Sequence, residues 1–282
     1  MRKLLLLALL LCAFRADAQV AQTGAGKGTP GSWTPAQLTG LIGWYKADVG
    51  VFTDTSCTTP ATNTQTVACW KDQSGNSFNL LQATAGDRPQ FLSAGLNSKQ
   101  TIQFTASGNT GLLTASGVVF GTGNLASGFF IGTMTTNANS FANSVSYCGP
   151  TSASCNLSGD FITAFRNNGA NSVCSDKGAV STSGGGTGCP SVTLSTELRF
   201  GGIADGSNIT SYLNNVAGTS AAVTDASANN GCISVGQGTN ACNFTLSAFS
   251  GWDGVISEIV LTNTALSSSD RALLDSYLSG RW

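Results

Sequence analysis

Short apolar runs separated by Gly, Asn, Ser and Thr repeat along most of this chain. Several alternate apolar with polar residues, as in Ile102-Gln-Phe104 and Ile256-Ser-Glu-Ile-Val260. Period-two alternation is the mark of a half-buried strand. The pattern predicts strands at Leu41–Ala47, Thr101–Thr105, Gly128–Met134, Phe161–Arg166, Val192–Gly201, Ile209–Asn214, Cys232–Gly236 and Val255–Thr262. Asn214-Asn215 interrupts an apolar run and predicts a tight hairpin, because Asn tolerates positive φ. Thr34-Pro35 predicts a short helical turn, with Thr as cap and Pro at the first position. One pattern changes period. Leu273, Leu274, Tyr277 and Leu278 form a stripe at helical spacing, with Ser267 as cap, Asp270 three residues on and Gly280 as the stop.

The first 18 residues read differently. Arg2 and Lys3 precede an apolar run from Leu4 to Phe14, and Ala16-Asp17-Ala18 fits a small-x-small cleavage site. This predicts a secretory signal peptide over 1–18, too short an apolar run to span a bilayer. Residues 19–33, rich in Gly, Thr and Gln, read as a flexible leader, and 34–282 as one domain. No later run is long enough to cross a membrane.

Charge narrows the function classes. Charged residues are 10% of the chain, the formal net charge is −1, and His is absent. No basic surface is available to grip nucleic acid. Without His, the Ser-His-Asp and Cys-His arrangements and every His-ligated metal site drop out.

Cys12 leaves with the signal, and eight cysteines remain. An even number in an exported chain implies disulfides. They fall in successive pairs around turn-rich segments, which predicts Cys57–Cys69, Cys148–Cys155, Cys174–Cys189 and Cys232–Cys242. A thiolate metal cluster is the rival reading, but no C-x-x-C spacing occurs.

An ordered set of short motifs then carries a resemblance. It comprises Leu41-Ile-Gly-Trp-Tyr-Lys-Ala-Asp48, Trp70-Lys-Asp-Gln-Ser-Gly-Asn76, Leu81-Gln-Ala-Thr84, Arg88-Pro-Gln-Phe91 and Thr101-Ile-Gln-Phe104. It continues with Tyr212-Leu-Asn-Asn215, Gly251-Trp-Asp-Gly-Val-Ile-Ser-Glu-Ile-Val260, Leu266-Ser and Tyr277-Leu-Ser-Gly-Arg-Trp282. In order and spacing this resembles the laminin-G-like members of the concanavalin A-like lectin/glucanase superfamily. The resemblance implies an all-β, two-sheet antiparallel jelly-roll sandwich with neighbouring terminal strands and a short C-terminal helix. It implies ligands on the concave face or rim loops. It says little about chemistry, since this fold hosts lectins, glycosidases, lyases and adhesion modules.

Enzymatic readings fare poorly. A glycosidase needs two carboxylates about 5–10 Å apart. Only Glu197 and Glu258 are glutamates, and the Glu-x-Asp-x-Glu pattern of the superfamily's glucanases is absent. Asp253 and Glu258 are five residues apart, so a regular strand turns them to opposite faces. Glu258 then reads as a strand residue satisfied by a backbone or Arg partner. Among the tryptophans, Trp44, Trp70 and Trp282 read as packing residues, and Trp33 as exposed or tucked against the sheet. Trp252 opens the last predicted strand near a rim, so Trp252 and Asp253 are the leading ligand candidates, with packing as the alternative for Trp252. The loops Asp72–Asn76 and Asp205–Asn208 offer oxygens that suit Ca²⁺, with Asp72 and Asn76 the clearest ligands and Asp205 and Asn208 a further binding pair. Turn chemistry explains both loops equally well. No cofactor is required by these residues. The expected partner is an extracellular glycan or a surface protein, with a hydrolase or lyase of atypical carboxylates as a third reading.

Overall fold

The computed structural model describes residues 33–120, 125–136, 141–148, 161–166, 171–177, 180–181, 189–223, 229–238, 242 and 251–282. The signal peptide, residues 19–32 of the leader and Cys155 lie outside them. Two antiparallel sheets make up the fold, one of nine strands and one of ten among the described residues. In the first sheet, strand Gly254–Thr262 is central. It pairs with Leu125–Met134 on one side, and with Leu41–Lys46 and Lys99–Phe104 on the other. The first and last long strands are therefore neighbours, as the resemblance implied. Leu198–Asp205 and Asn208–Leu213 continue that sheet to an edge made of Val216–Ala217 and Ala221–Ala222.

All nine residues of Gly254–Thr262 are buried, because both faces of the strand are covered. The inner face meets the second sheet across one apolar core, where Phe130 packs edge-on against Phe200 and Trp252. The outer face is roofed by the C-terminal helix Ser268–Arg281, which buries Leu274 and Leu278. Ser267 caps the helix by accepting from the Asp270 N–H. Gly280 does not stop it: Gly280 is helical and Trp282 is the C-cap, its N–H bonded to Leu278 O. A glycine ends a helix through positive φ, and Gly280 does not adopt it. Gly201 shows how tightly neighbouring strands of this sheet close, since it is paired with Phe129. A Cβ there would stand 2.3 Å from the Phe129 ring.

At Pro35–Gln37 the expected turn is a single 3₁₀ turn, and Thr34 makes no side-chain cap bond. The strand expected at Val192–Gly201 begins only at Leu198. The chain before it turns, with Ser195 at φ 60°. Asn214 and Asn215 both take positive φ, 49° and 66°, and close the hairpin as expected.

Three of the four expected disulfides are present, at Cys57–Cys69, Cys174–Cys189 and Cys232–Cys242. Cys148–Cys155 lies outside the described residues. The strand ends of the three bridges share a side. Cys69, Cys174 and Cys232 alternate with core residues Trp70, Val173 and Ile233. They therefore leave the second sheet on the face away from the core. Cys232, Leu113 and Cys242 form a separate small apolar cluster there.

Candidate functional site

Trp252 is 1% exposed and packs its ring edge-on with Phe130, centroids 5.6 Å apart. It is a core residue, not an open stacking platform. The glycines on both sides of Trp252-Asp253 let the chain pass close to other backbone. A Cβ on Gly254 would sit 2.1 Å from Thr133 O, so the indole is pressed inward. Asp253 is half-buried, and it accepts from the Thr136 hydroxyl and, through its carbonyl, from Thr135 N–H.

Asp72 is 9% exposed. Its Oδ1 accepts from the N–H groups of Trp44 and Ser74, and its Oδ2 from Ser74 Oγ and Phe78 N–H. Asn76 Nδ2 donates to the carbonyls of Leu41 and Ile42. This geometry fastens the loop to the first strand, and a cation would have to displace those donors. Asp205 Oδ1 accepts from Ser207 and Asn208 N–H at 2.9 and 2.7 Å, an Asx-type turn. Asn208 starts the next strand and pairs with Ala222. Asp72 and Asn76 therefore share one loop, and Asp205 and Asn208 another.

Two constellations stand out among the described residues. The first is buried. Glu258 is fully buried beneath the helix end, where Trp44 Nε1 donates to Oε1 and Trp282 Nε1 to Oε2, each at 2.6 Å. Arg281 Nε lies 3.0 Å from Oε2, and the guanidinium also reaches Asp48. A β-bulge between Ile256 and Glu258 resets the strand against Leu125–Met134. Even so, Asp253 bonds at the strand's start while Glu258 faces the helix. Burial pushes the Glu258 carboxyl above the usual glutamate value. The Trp44 and Trp282 N–H groups, Arg281 and Tyr277 work in the other direction. With these donors converging on both oxygens, the acceptor-only carboxylate is the form that fits. Tyr277 is raised in turn, by burial and then by the nearby Glu258 charge. This cluster is sealed. It binds the helix to the sheet and offers no room for a substrate.

The second is open. A groove of about 590 Å³ runs along the sheet edge between Cys189-Pro190 and the segment Leu213–Thr219. A smaller hollow of about 170 Å³ continues it past Ser191–Thr193 and Thr196–Leu198, sharing Leu213 and Asn214. One wall is pinned by the Cys174–Cys189 bridge and by Val173 N–H to Pro190 O. The other is pinned at the hairpin. Asn214 Oδ1 accepts from Arg199 N–H, and Asn215 Oδ1 from Arg271 Nε. Arg271 also stacks on Tyr212, 4.2 Å from the ring centre. Glu197 is the one carboxylate among the described lining residues, and both its oxygens are engaged. Oε1 takes Arg199 at 2.7 Å and Oε2 takes Asn97 Nδ2 at 2.6 Å. Burial works against the Arg199 charge, and its bonds to Asp275 and Glu197 outweigh that cost.

Sequence reasoning missed this groove. Its walls are a polar hairpin tip and the stretch 189–198, which alternation had placed partly in a strand. The Asn214-Asn215 turn was the available signal.

No family model matches the chain, and no curated protein matches its sequence. Solved structures do share its shape. An α-L-arabinofuranosidase of family GH54 aligns with 77% of this chain and 51% of its own, at 17% identity and a TM-score of 0.55. A sialidase from Trypanosoma rangeli aligns with 87% of this chain and 33% of its own, at 13% identity and a TM-score of 0.52. Domain 4 of AbnA, a GH43 extracellular arabinanase from Geobacillus stearothermophilus solved with arabinotriose, aligns at 15% identity and a TM-score of 0.49, over 84% and 98%. The chain spans about half of the arabinofuranosidase and a third of the sialidase. At these identities the likeness is one of fold, a β-sandwich.

Proposed function

We propose that this protein is an exported, non-catalytic carbohydrate-recognition module of the laminin-G/concanavalin A-like kind. The observation that supports it most is the open edge groove, lined by hydroxyl, amide and aliphatic groups on walls already fixed by a disulfide and a hairpin. Preformed, mostly apolar concavities with a few placed polar groups are the usual form of small-ligand sites. The names of the fold neighbours, an arabinofuranosidase and a sialidase, point the same way. The carboxylates argue against hydrolysis. Glu197 is paired with Arg199, Glu258 is sealed under the helix, and the groove's described lining has no second acid to complete a pair. Three disulfides support export to an oxidising compartment.

A binding screen of the oxidised protein against soluble glycans and polysaccharides, with and without millimolar Ca²⁺, tests this reading. Saturable binding without release of reducing sugar supports it. A blank across the panel rejects it. One feature favours a second reading, an adhesion module: Val216, on the edge strand beside the groove, is 69% exposed. Unpaired edges recruit other strands. Under that reading the panel is blank and the protein self-associates in sedimentation.

A further inference from the structure

We infer that the edge groove selects uncharged saccharides, with Asn214 as its orienting group and Val216 as its apolar wall. The inference rests on the carbohydrate reading above. Three observations carry it. The first is charge. No cationic side chain lines the groove among the described residues. Of the two guanidiniums that hold the hairpin, Arg199 is engaged by Glu197 and Asp275 at 2.7 and 2.8 Å, and Arg271 by Asn215 Oδ1 and the Tyr212 ring. An anionic sugar, whether uronate, sulfate or sialate, would find no free cation among the described lining, since Glu197 already takes up Arg199. The chain's formal charge of −1 adds no attraction.

The second is hydrogen-bonding supply. Asn214 Oδ1 is used by the Arg199 N–H, which fixes the amide plane and leaves both Nδ2 hydrogens to face outward. Asn214 is exposed, and it lines both the large groove and its smaller continuation. It is therefore placed to donate to ligand hydroxyls in either. Thr193 lines the continuation with a hydroxyl that both donates and accepts, and Thr196 Oγ1, which donates to Thr193 O at 2.7 Å, can accept. Sugar hydroxyls have the same dual character. The third is the apolar wall. Leu213, Val216 and Ala217 stand beside Pro190, and the C–H face of a sugar ring buries against such aliphatic groups. No aromatic side chain is among the described lining, so orientation falls to the amide rather than to stacking.

The test is titration of the oxidised protein with neutral and anionic oligosaccharides, at about 20 and 500 mM salt, for the wild type and three variants. Asn214→Gly keeps the positive φ while removing the amide. Val216→Asp puts charge on an already exposed side chain. Val49→Asp does the same at an exposed valine outside the groove, 41% accessible. We expect a neutral saccharide to bind with affinity unchanged by salt. Asn214→Gly and Val216→Asp should each weaken it tenfold or more, and Val49→Asp less than twofold. Neutral binding that survives both groove variants overturns this inference and leaves the carbohydrate reading standing. Binding confined to anionic sugars, and weakened by salt, overturns the neutral selectivity alone. No binding to any sugar overturns the reading and this inference together. Circular dichroism of each variant confirms that the sheets remain, so a loss is read at the groove.

Discussion

The two polar constellations of this protein treat the same kind of residue in opposite ways. Around Glu258, a carboxylate, two indoles, a phenol and a guanidinium are packed until the carboxylate is fully buried with a donor on each oxygen. At the edge groove, Glu197 is cancelled by its pairing with Arg199, and the other described lining residues are uncharged. The pairing in the first holds the fold together. In the second it removes charge from a surface. A glutamate is therefore no guide to chemistry until its neighbours are known, and in neither place does this chain set two acids against one open space.

Changes at the buried cluster should have the largest effects. Glu258→Ala leaves the two indole N–H groups without their acceptor. Each stranded buried donor costs about 1–3 kcal/mol, so the loss is about 3 kcal/mol. In a domain of this size that is a fall of roughly 6–12 °C in Tm, read by calorimetry. An unchanged Tm would show that the helix end is held by Leu274 and Leu278 alone. Next comes Gly201→Ala. Its methyl would press on the Phe129 ring and Gly128 O, and overpacking of this kind costs about 1–3 kcal/mol. It should lower Tm without altering sugar binding, which would separate the two regions cleanly. Val216→Asp should do the reverse. Tm stays, and affinity for a neutral saccharide falls about tenfold, or about 1.4 kcal/mol.

The smallest effect is a slope with pH. Glu258 holds its proton more tightly folded than unfolded, because burial disfavours its charge. Folding thus takes up a proton between the ordinary value of 4.5 and the raised one. The contribution is full below 4.5 and is lost as pH rises through that window. The groups facing Glu258 are Arg281 and Tyr277, with Asp48 behind the arginine and Lys46 opposite it on the paired strand. Glu258→Gln should flatten stability against pH over that window. A slope that persists in the variant would assign it to another group.

Much of the framework was legible in local pattern. Ser267 capping, the Asn214-Asn215 hairpin and the last strand are set by neighbours in sequence, and the structure has all three, although that strand is buried on both faces rather than half-buried. The serial pairing of the cysteines was legible too, at the three bridges among the described residues. Gly280 misled because a glycine near a helix end looks like a stop. The real end comes later, where Trp282 docks on Glu258. Trp252 misled for a similar reason. A tryptophan between glycines resembles a rim platform, but those glycines let backbone close in around it. Strand Phe141–Cys148 escaped notice because Asn143, Ser144 and Ser146 interrupt its apolar residues. The groove was illegible because its walls, 189–198 and 213–219, meet only through the fold.

The central claim is that recognition sits at the sheet edge, apart from the buried cluster. Amide chemical-shift mapping of the oxidised protein, titrated with whichever neutral saccharide binds, tests it most directly. The account predicts that the perturbed amides cluster at Ser191–Leu198 and Leu213–Thr219, while those of Trp44, Glu258 and the C-terminal helix stay still. Perturbations centred on the outer face of the second sheet, around Leu113 and Ser234, with the hairpin unmoved, would contradict it.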